Sequence, residues 1–205
     1  MRVVWIRHGE STANAGLPTD DPGGIELTEF GWEQARALAA AWDHVPGLIV
    51  VSPFLRTQQT AQPLRERFPA VPVEVWAIEE FTYLEPSRWV GSTSRERRPS
   101  VRAYWESNDP EYRDGPGAES VKELLMRADA ALRRLEWLAA AGGAVDHVLL
   151  FSHSQFMHAV QIQTTEAGLP AAEKMRLISN GGSGSRFANC ARLEMEFGAA
   201  GWLQR

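Results

Sequence analysis

Short apolar runs recur along the chain, and each stops abruptly at polar residues. Val3-Val4-Trp5-Ile6 runs into Arg7-His8-Gly9, Leu48-Ile49-Val50-Val51 stops at Ser52-Pro53, and Val148-Leu149-Leu150-Phe151 ends in Ser152-His153. Unbroken apolar runs of about four to eight residues predict strands buried on both faces, as in a parallel sheet covered by helices. Val73 to Trp76 predicts another strand, and the alternating run from Cys190 to Phe197 a last one. Between strands the period turns helical. Thr28 caps a helix whose face carries Gln34, Ala35, Leu38, Ala39 and Trp42 and which ends near His44. Residues 54–68 predict a second helix, stopped by Pro69. From Glu119 to about Ala141 the positions Val121, Leu124, Leu125, Ala128, Leu132, Leu135 and Leu138 form one stripe, closed by Gly142-Gly143. A further helix follows His153 to about Glu166. Strands alternating with helices predict an α/β fold with a largely parallel sheet.

Other stretches break the alternation. Residues 15–26, rich in Gly, Pro and Asp, predict a surface loop. Residues 81–118 carry aromatics, arginines and scattered prolines, and are expected to form an insertion over the site. The run from Asn180 to Ser185 is glycine-rich but lacks the Lys-Ser/Thr of a P-loop, so a flexible turn is expected there.

With 205 residues, 44% of them hydrophobic, the chain can bury one sizeable core, and residues 1–205 are expected to be a single domain. A net charge of −5 supplies no basic field, so nucleic acid and anionic membrane surfaces are not expected partners. No apolar run approaches the roughly 18 residues of a membrane span. Cys190 is the sole cysteine, which excludes an intramolecular disulfide and a multi-cysteine metal site. The first apolar segment is too short for a signal peptide, and the expected location is cytoplasmic. The sequence leaves the oligomeric state open.

The candidate chemistry sits where strands end, because ligands of open α/β sheets bind beyond the carboxyl ends of their strands. Arg7-His8, Ser52-Pro53 with Arg56 one turn onward, and Ser152-His153 are all delivered to that edge. Two histidines, two arginines and a nearby carboxylate suit phosphoryl transfer through a phosphorylated imidazole: a nucleophile, a cationic clamp and a proton donor. Backbone N–H groups around Ser154 and Gln155 would add an anion site if a helix starts there. His44 and His147 fall at the opposite ends of their elements and are expected to be solvated or capping. His158, five residues after His153, does not share its helical face. No metal site is expected from them.

These residues also resemble a known signature. Arg7-His8-Gly9-Glu10-Ser11 with Asn14, then Leu27-Thr28 with Gly31, Gln34 and Ala35, then Ser52-Pro53 with Arg56-Thr57 and Thr60-Ala61, then Glu80, then Ser152-His153 resemble the histidine phosphatase superfamily, which includes the cofactor-dependent phosphoglycerate mutases. The resemblance implies a three-layer α/β/α sandwich and a site without metal or cofactor. It implies His8 as the phosphorylated nucleophile, and Arg7, Arg56, His153 and Asn14 as phosphate contacts with Ser154 beside them. Of the adjacent Glu79 and Glu80, Glu80 is the better match for the proton donor, with its partner facing solvent. Leu84 stands where the family commonly has glycine, four residues past that acid. Glu10 is expected to be structural.

Phosphoglycerate mutases carry a Thr-Gly-Trp-rich run after the Asn14 equivalent, and residues 15–26 lack one. The expected activity is therefore metal-independent hydrolysis of a small phosphomonoester. A mutase-type phosphotransferase and a non-catalytic domain that binds a phosphorylated ligand are the alternatives. The arginines and aromatics between Phe81 and Ala118 could receive a second phosphate or a flat ring, but acids balance the charge and a mixed surface cap is the plainer expectation.

Overall fold

The apolar runs pair side by side in a computed structural model that describes residues 1–141, 145–180 and 187–204. Strand β1 (Arg2–Arg7) lies between β4 (His147–Ser152) and β5 (Arg192–Gly198), while β2 (Leu48–Val51) lies between β4 and β3 (Val73–Val75). With β6 (Gly201–Gln204) at the far edge, the order is β3-β2-β4-β1-β5-β6. The first four in that order run parallel; β5 and β6 are antiparallel to their neighbours.

Strand alternation splits the apolar side chains into two cores. Val3, Trp5, Leu48, Val50, Val148 and Leu150 face the layer built by α4 (Val121–Ala140), α5 (Ser154–Thr165) and α6 (Ala171–Asn180). Val4, Ile6, Ile49, Val51, Leu149 and Phe151 face α1 (Glu29–Ala40) and α2 (Leu55–Arg67). Covering both faces is what allows strands to be apolar throughout. The result is the α/β/α sandwich expected from the sequence.

Several local expectations need correction. Helix α1 stops at Ala40 rather than near His44, because Trp42 folds back into the core and is 4% exposed. His147 is neither solvated nor a cap: it is buried and stacks on Trp42 with ring centroids 5.8 Å apart. The strand expected over Val73 to Trp76 is present as β3, an edge strand whose Val73 and Val75 are exposed. Residues 81–118 contain a helix, α3 (Ser94–Ser107), begun by a reciprocal capping box between Thr93 and Glu96. α6 and β6 were not legible from periodicity. The expected stop at Gly142-Gly143 and the turn over residues 181–185 lie outside the described residues. Among the described residues, no helix is long and apolar enough to cross a membrane.

Candidate active site

Parallel pairing brings the polar strand ends together. Arg7 stands opposite Ser152 in register, and the His8 amide donates to the Ser152 carbonyl at 3.1 Å. β2, on the other side of β4, ends at Val51 just before Ser52, and α2 then opens with Arg56 in its first turn. The loop after β3 adds Glu80, held close by the Ser152 hydroxyl, which donates to the Ile78 carbonyl at 2.7 Å. The His8 and His153 rings lie 5.1 Å apart, and Arg56 Nε donates to His8 Nε2 at 3.2 Å. Arg7, His8, Arg56 and His153 are all buried.

The hydrogen bonds fix the tautomer of His8. Its Nδ1 lies 2.7 Å from the Gly9 carbonyl, which can only accept, so Nδ1 carries the proton and Nε2 the lone pair. Burial holds this imidazole well below its ordinary 6.5, with the Arg56 and Arg7 guanidinium charges acting in the same direction. His153 is held down by burial, then by Arg56 and His8. Its Nε2 lies 2.8 Å from Ser52 Oγ, and its buried Nδ1 has no partner among the described residues. If the Ser52 hydroxyl donates to Nε2, His153 Nδ1–H is available to a phosphate oxygen.

The arginines are anchored in different ways. Arg7 Nη1 donates to the Phe187 carbonyl at 2.7 Å and Nη2 to Asn14 Oδ1 at 3.4 Å, while its buried Nε has no partner among the described residues. Arg56 Nη1 donates to the Pro22 carbonyl at 2.7 Å. Burial pulls Arg56 down to about 10, against the opposing attraction of Glu80, so it stays cationic at neutral pH. Asn14 is exposed, and its Oδ1 accepts from Ser11 N, Arg7 and Asn189 Nδ2, which turns its amide nitrogen to the donor role.

Glu80 occupies the helix N-terminus that the sequence offered as an anion site. Its Oε1 accepts from Gln155 N and from Phe81 N, each at 3.1 Å. The Ser154 hydroxyl instead accepts from Phe187 N at 3.3 Å. Burial raises the Glu80 carboxyl above its ordinary 4.5, although Arg56, both backbone donors and Arg7 pull the other way. Glu79 does not simply face solvent. It lies 3.8 Å from Arg127, a residue of α4 that the sequence reading passed over. Arg127 donates to both carboxylate oxygens of Glu119 at 2.6 and 2.8 Å, and to the Ala77 and Glu79 carbonyls at 2.9 and 3.2 Å. The backbone leading into Glu80 is thereby clamped to the core helix.

Further supports hold the His8 loop. Gly9 N donates to Thr60 Oγ1 and Asn189 Nδ2 to the His8 carbonyl, both at 3.0 Å. Glu10 has the expected structural role: Gln34 accepts from its backbone N–H and Thr28 donates to its carboxylate, both at 2.8 Å. Gly31 permits this approach, since a Cβ there would lie 3.0 Å from the Glu10 carbonyl carbon and inside contact with its oxygen. Thr60, Gln34 and Gly31 belong to the motif. Asn189 and Arg127 announced themselves by no periodic or motif signal.

The site opens into a cleft with two lobes on either side of Glu80. One, of about 210 Å³, is walled by Arg56, Glu80 and residues of the 81–118 segment. The other, of about 590 Å³, is walled by Glu79, Glu80, Arg113, Glu119, Glu123 and Arg127 among others. His8 is 3% exposed and walls neither lobe; Arg56, which walls the smaller lobe, is hydrogen-bonded to it.

The chain is similar to known proteins along its whole length. The chain is 27% identical over 208 residues to the "Probable phosphoglycerate mutase GpmB" of Yersinia pestis (strain Pestoides F), covering 99% of this chain and 88% of that one. A mycobacterial glucosyl-3-phosphoglycerate phosphatase, solved with VO3, superposes with a TM-score of 0.74 at 26% identity over 100% of this chain and 96% of that one. The alpha-ribazole phosphatase of Shigella flexneri shares the fold, with a TM-score of 0.75 at 22% identity over 100% and 95%. The model of the histidine phosphatase superfamily (branch 1) matches residues 3–186, and the chain belongs to that superfamily.

Proposed function

We propose that the protein is a metal-independent phosphomonoesterase working through a phosphohistidine at His8. The observation that carries this reading is the His8 Nε2 lone pair, fixed by the Gly9 carbonyl behind it and faced by Arg56. A phosphate inserting there exchanges the Arg56–His8 hydrogen bond for guanidinium–phosphate bonds, with Arg7, His153 and Asn14 as further donors. The nearby charges of Arg56 and Arg7 disfavour a divalent cation at this point.

In the first step His8 Nε2 forms a bond to phosphorus as the ester P–O bond breaks, and the leaving oxygen takes the Glu80 proton. Burial supports that role by favouring the protonated carboxyl. In the second, water attacks phosphorus, Glu80 takes its proton, the P–N bond breaks and phosphate leaves. Ser154 enters through its place at the start of α5 beside His153, and accepting from Phe187 N leaves its O–H as a donor.

The test is release of phosphate from p-nitrophenyl phosphate with and without chelator, together with an alkaline quench to trap the phosphoenzyme. Wild type should turn over and trap label, whereas His8→Asn should do neither. Loss of activity on chelation, or trapping in His8→Asn, would overturn the reading. The mutase-named relative supports a second reading, phosphotransfer between positions of a sugar acid. Label from a bisphosphorylated glycerate separates the two: a hydrolase releases it as phosphate, and a mutase passes it to the monophosphate.

A further inference from the structure

The two lobes beside Glu80 differ in chemistry, and the difference bears on what the phosphate is attached to. The larger lobe is acidic: Asp21, Glu79, Glu80, Glu119 and Glu123 wall it against only Arg113 and Arg127. Both of those cations are already committed. Arg127 is spanned by the Glu119 carboxylate, and Arg113 lies 3.3 Å from Glu123 while donating to the Ala118 carbonyl at 2.9 Å. A second phosphate or a carboxylate on the substrate would meet uncompensated negative charge there.

The smaller lobe is apolar and aromatic, walled by Ile25, Phe54, Tyr83, Leu84, Trp89 and Val101. Apart from Arg56 and Glu80, its charged groups are Asp20 and Arg97, one of each sign. Arg97 Nη1 is spent on the cap itself, donating to Thr19 Oγ1, the Ser92 carbonyl and Ser92 Oγ. Trp89 Nε1 is buried and has no partner among the described residues. At about 210 Å³ the lobe has the room of roughly seven waters, enough for one ring and a short linker.

We propose that this lobe seats the leaving group, and that the preferred substrates are monophosphate esters of uncharged alcohols that carry an aromatic ring, rather than of sugars, sugar acids or bisphosphorylated compounds. Leu84, where the family commonly has glycine, and the Trp89 ring contribute apolar wall. The proposal rests on the hydrolase reading for its turnover test and is independent of it for its binding test.

The turnover test compares benzyl phosphate with glycerol 3-phosphate, glucose 6-phosphate and 3-phosphoglycerate, all of which release alkyl-type oxygens. The expected kcat/KM is about 10-fold or more in favour of benzyl phosphate, the scale of discrimination that an apolar pocket supplies. Trp89→Ala and Leu84→Asp should each shrink that ratio toward one. The binding test titrates wild type and His8→Asn with benzylphosphonate and with 3-phosphoglycerate by tryptophan fluorescence, and expects tighter binding of the ring compound by both proteins. Equal affinity, or preference for the sugar acid or the sugar phosphate, would overturn the proposal. Ring-selective binding without any His8-dependent turnover would overturn the hydrolase reading and leave the lobe's assignment standing.

Discussion

Arg127→Met tests whether the clamp on the acid-bearing loop matters for catalysis. The Arg127 side chain is 19% exposed and its partner Glu119 16%, so truncation leaves a mostly buried carboxylate unpaired. Breaking a buried pair in this way costs about 3–5 kcal/mol, and at about 2–4 °C per kcal/mol for a chain of this size Tm should fall by about 6–20 °C. Two carbonyl contacts, at Ala77 and Glu79, are lost as well, so the segment entering Glu80 loosens. A misplacement near 1 Å costs on the order of 100-fold in rate. That loss should fall on alkyl phosphates, whose leaving oxygen needs the proton, and should be less than about 5-fold for p-nitrophenyl phosphate, whose leaving group departs without help. The double variant Arg127→Met/Glu119→Gln removes the stranded charge; it should regain much of the Tm and keep the ester-dependent defect. Equal losses for both ester types, or recovery of alkyl phosphate turnover in the double variant, would refute a positioning role.

Further outcomes follow from the same geometry. Glu80→Gln should lower kcat on alkyl phosphates by about 100-fold to 10,000-fold; in wild type, activity on these esters should decline as pH rises through the raised Glu80 value, and a variant that keeps this alkaline limb would remove Glu80 as the acid. His8 and His153 are both held well below 6.5, so their stabilisation is complete above 6.5 and drains as pH falls toward their folded values. Each adds up to about 1.4 kcal/mol per pH unit of slope. Glu80, raised above 4.5, works oppositely, its share being complete below 4.5 and lost as pH rises through its folded value. Urea midpoints between pH 7.5 and 5.5 should therefore drop in wild type and drop less in His153→Asn; identical slopes would contradict the burial of a neutral ring. Gly31→Ala forces a methyl against the Glu10 carbonyl and should cost about 1–3 kcal/mol, read as a lower Tm with reduced turnover, and an unchanged Tm would show that the approach is not tight.

The sandwich was legible because its central strands are apolar on both faces, and a run such as Val148 to Phe151 leaves no other reading. The edges were harder. β3 exposes two valines, and Gly201–Gln204 is short and mixed, so neither carries the signature of a buried strand. α3 held a readable capping box at Thr93 and Glu96, yet Tyr104 is its only buried residue and Pro99 lies inside it, so no apolar stripe marked its length. The strand-end residues His8, Arg56 and His153 were findable from where they fall in the pattern. Arg127 was not, because it sits on a helix chosen for its leucine face and acts through backbone carbonyls that no sequence motif encodes.

The guanidinium resting on His8 Nε2 has a consequence for selectivity among reagents. As long as it stays there, the one nitrogen able to react is masked, and an uncharged electrophile brings nothing that could draw the cation away. An anion does, by offering the arginine a better acceptor at the same moment that it presents phosphorus. The chain should thus resist alkylating agents at this histidine while remaining open to phosphate esters, so that the visitor itself arms the nucleophile it is about to meet.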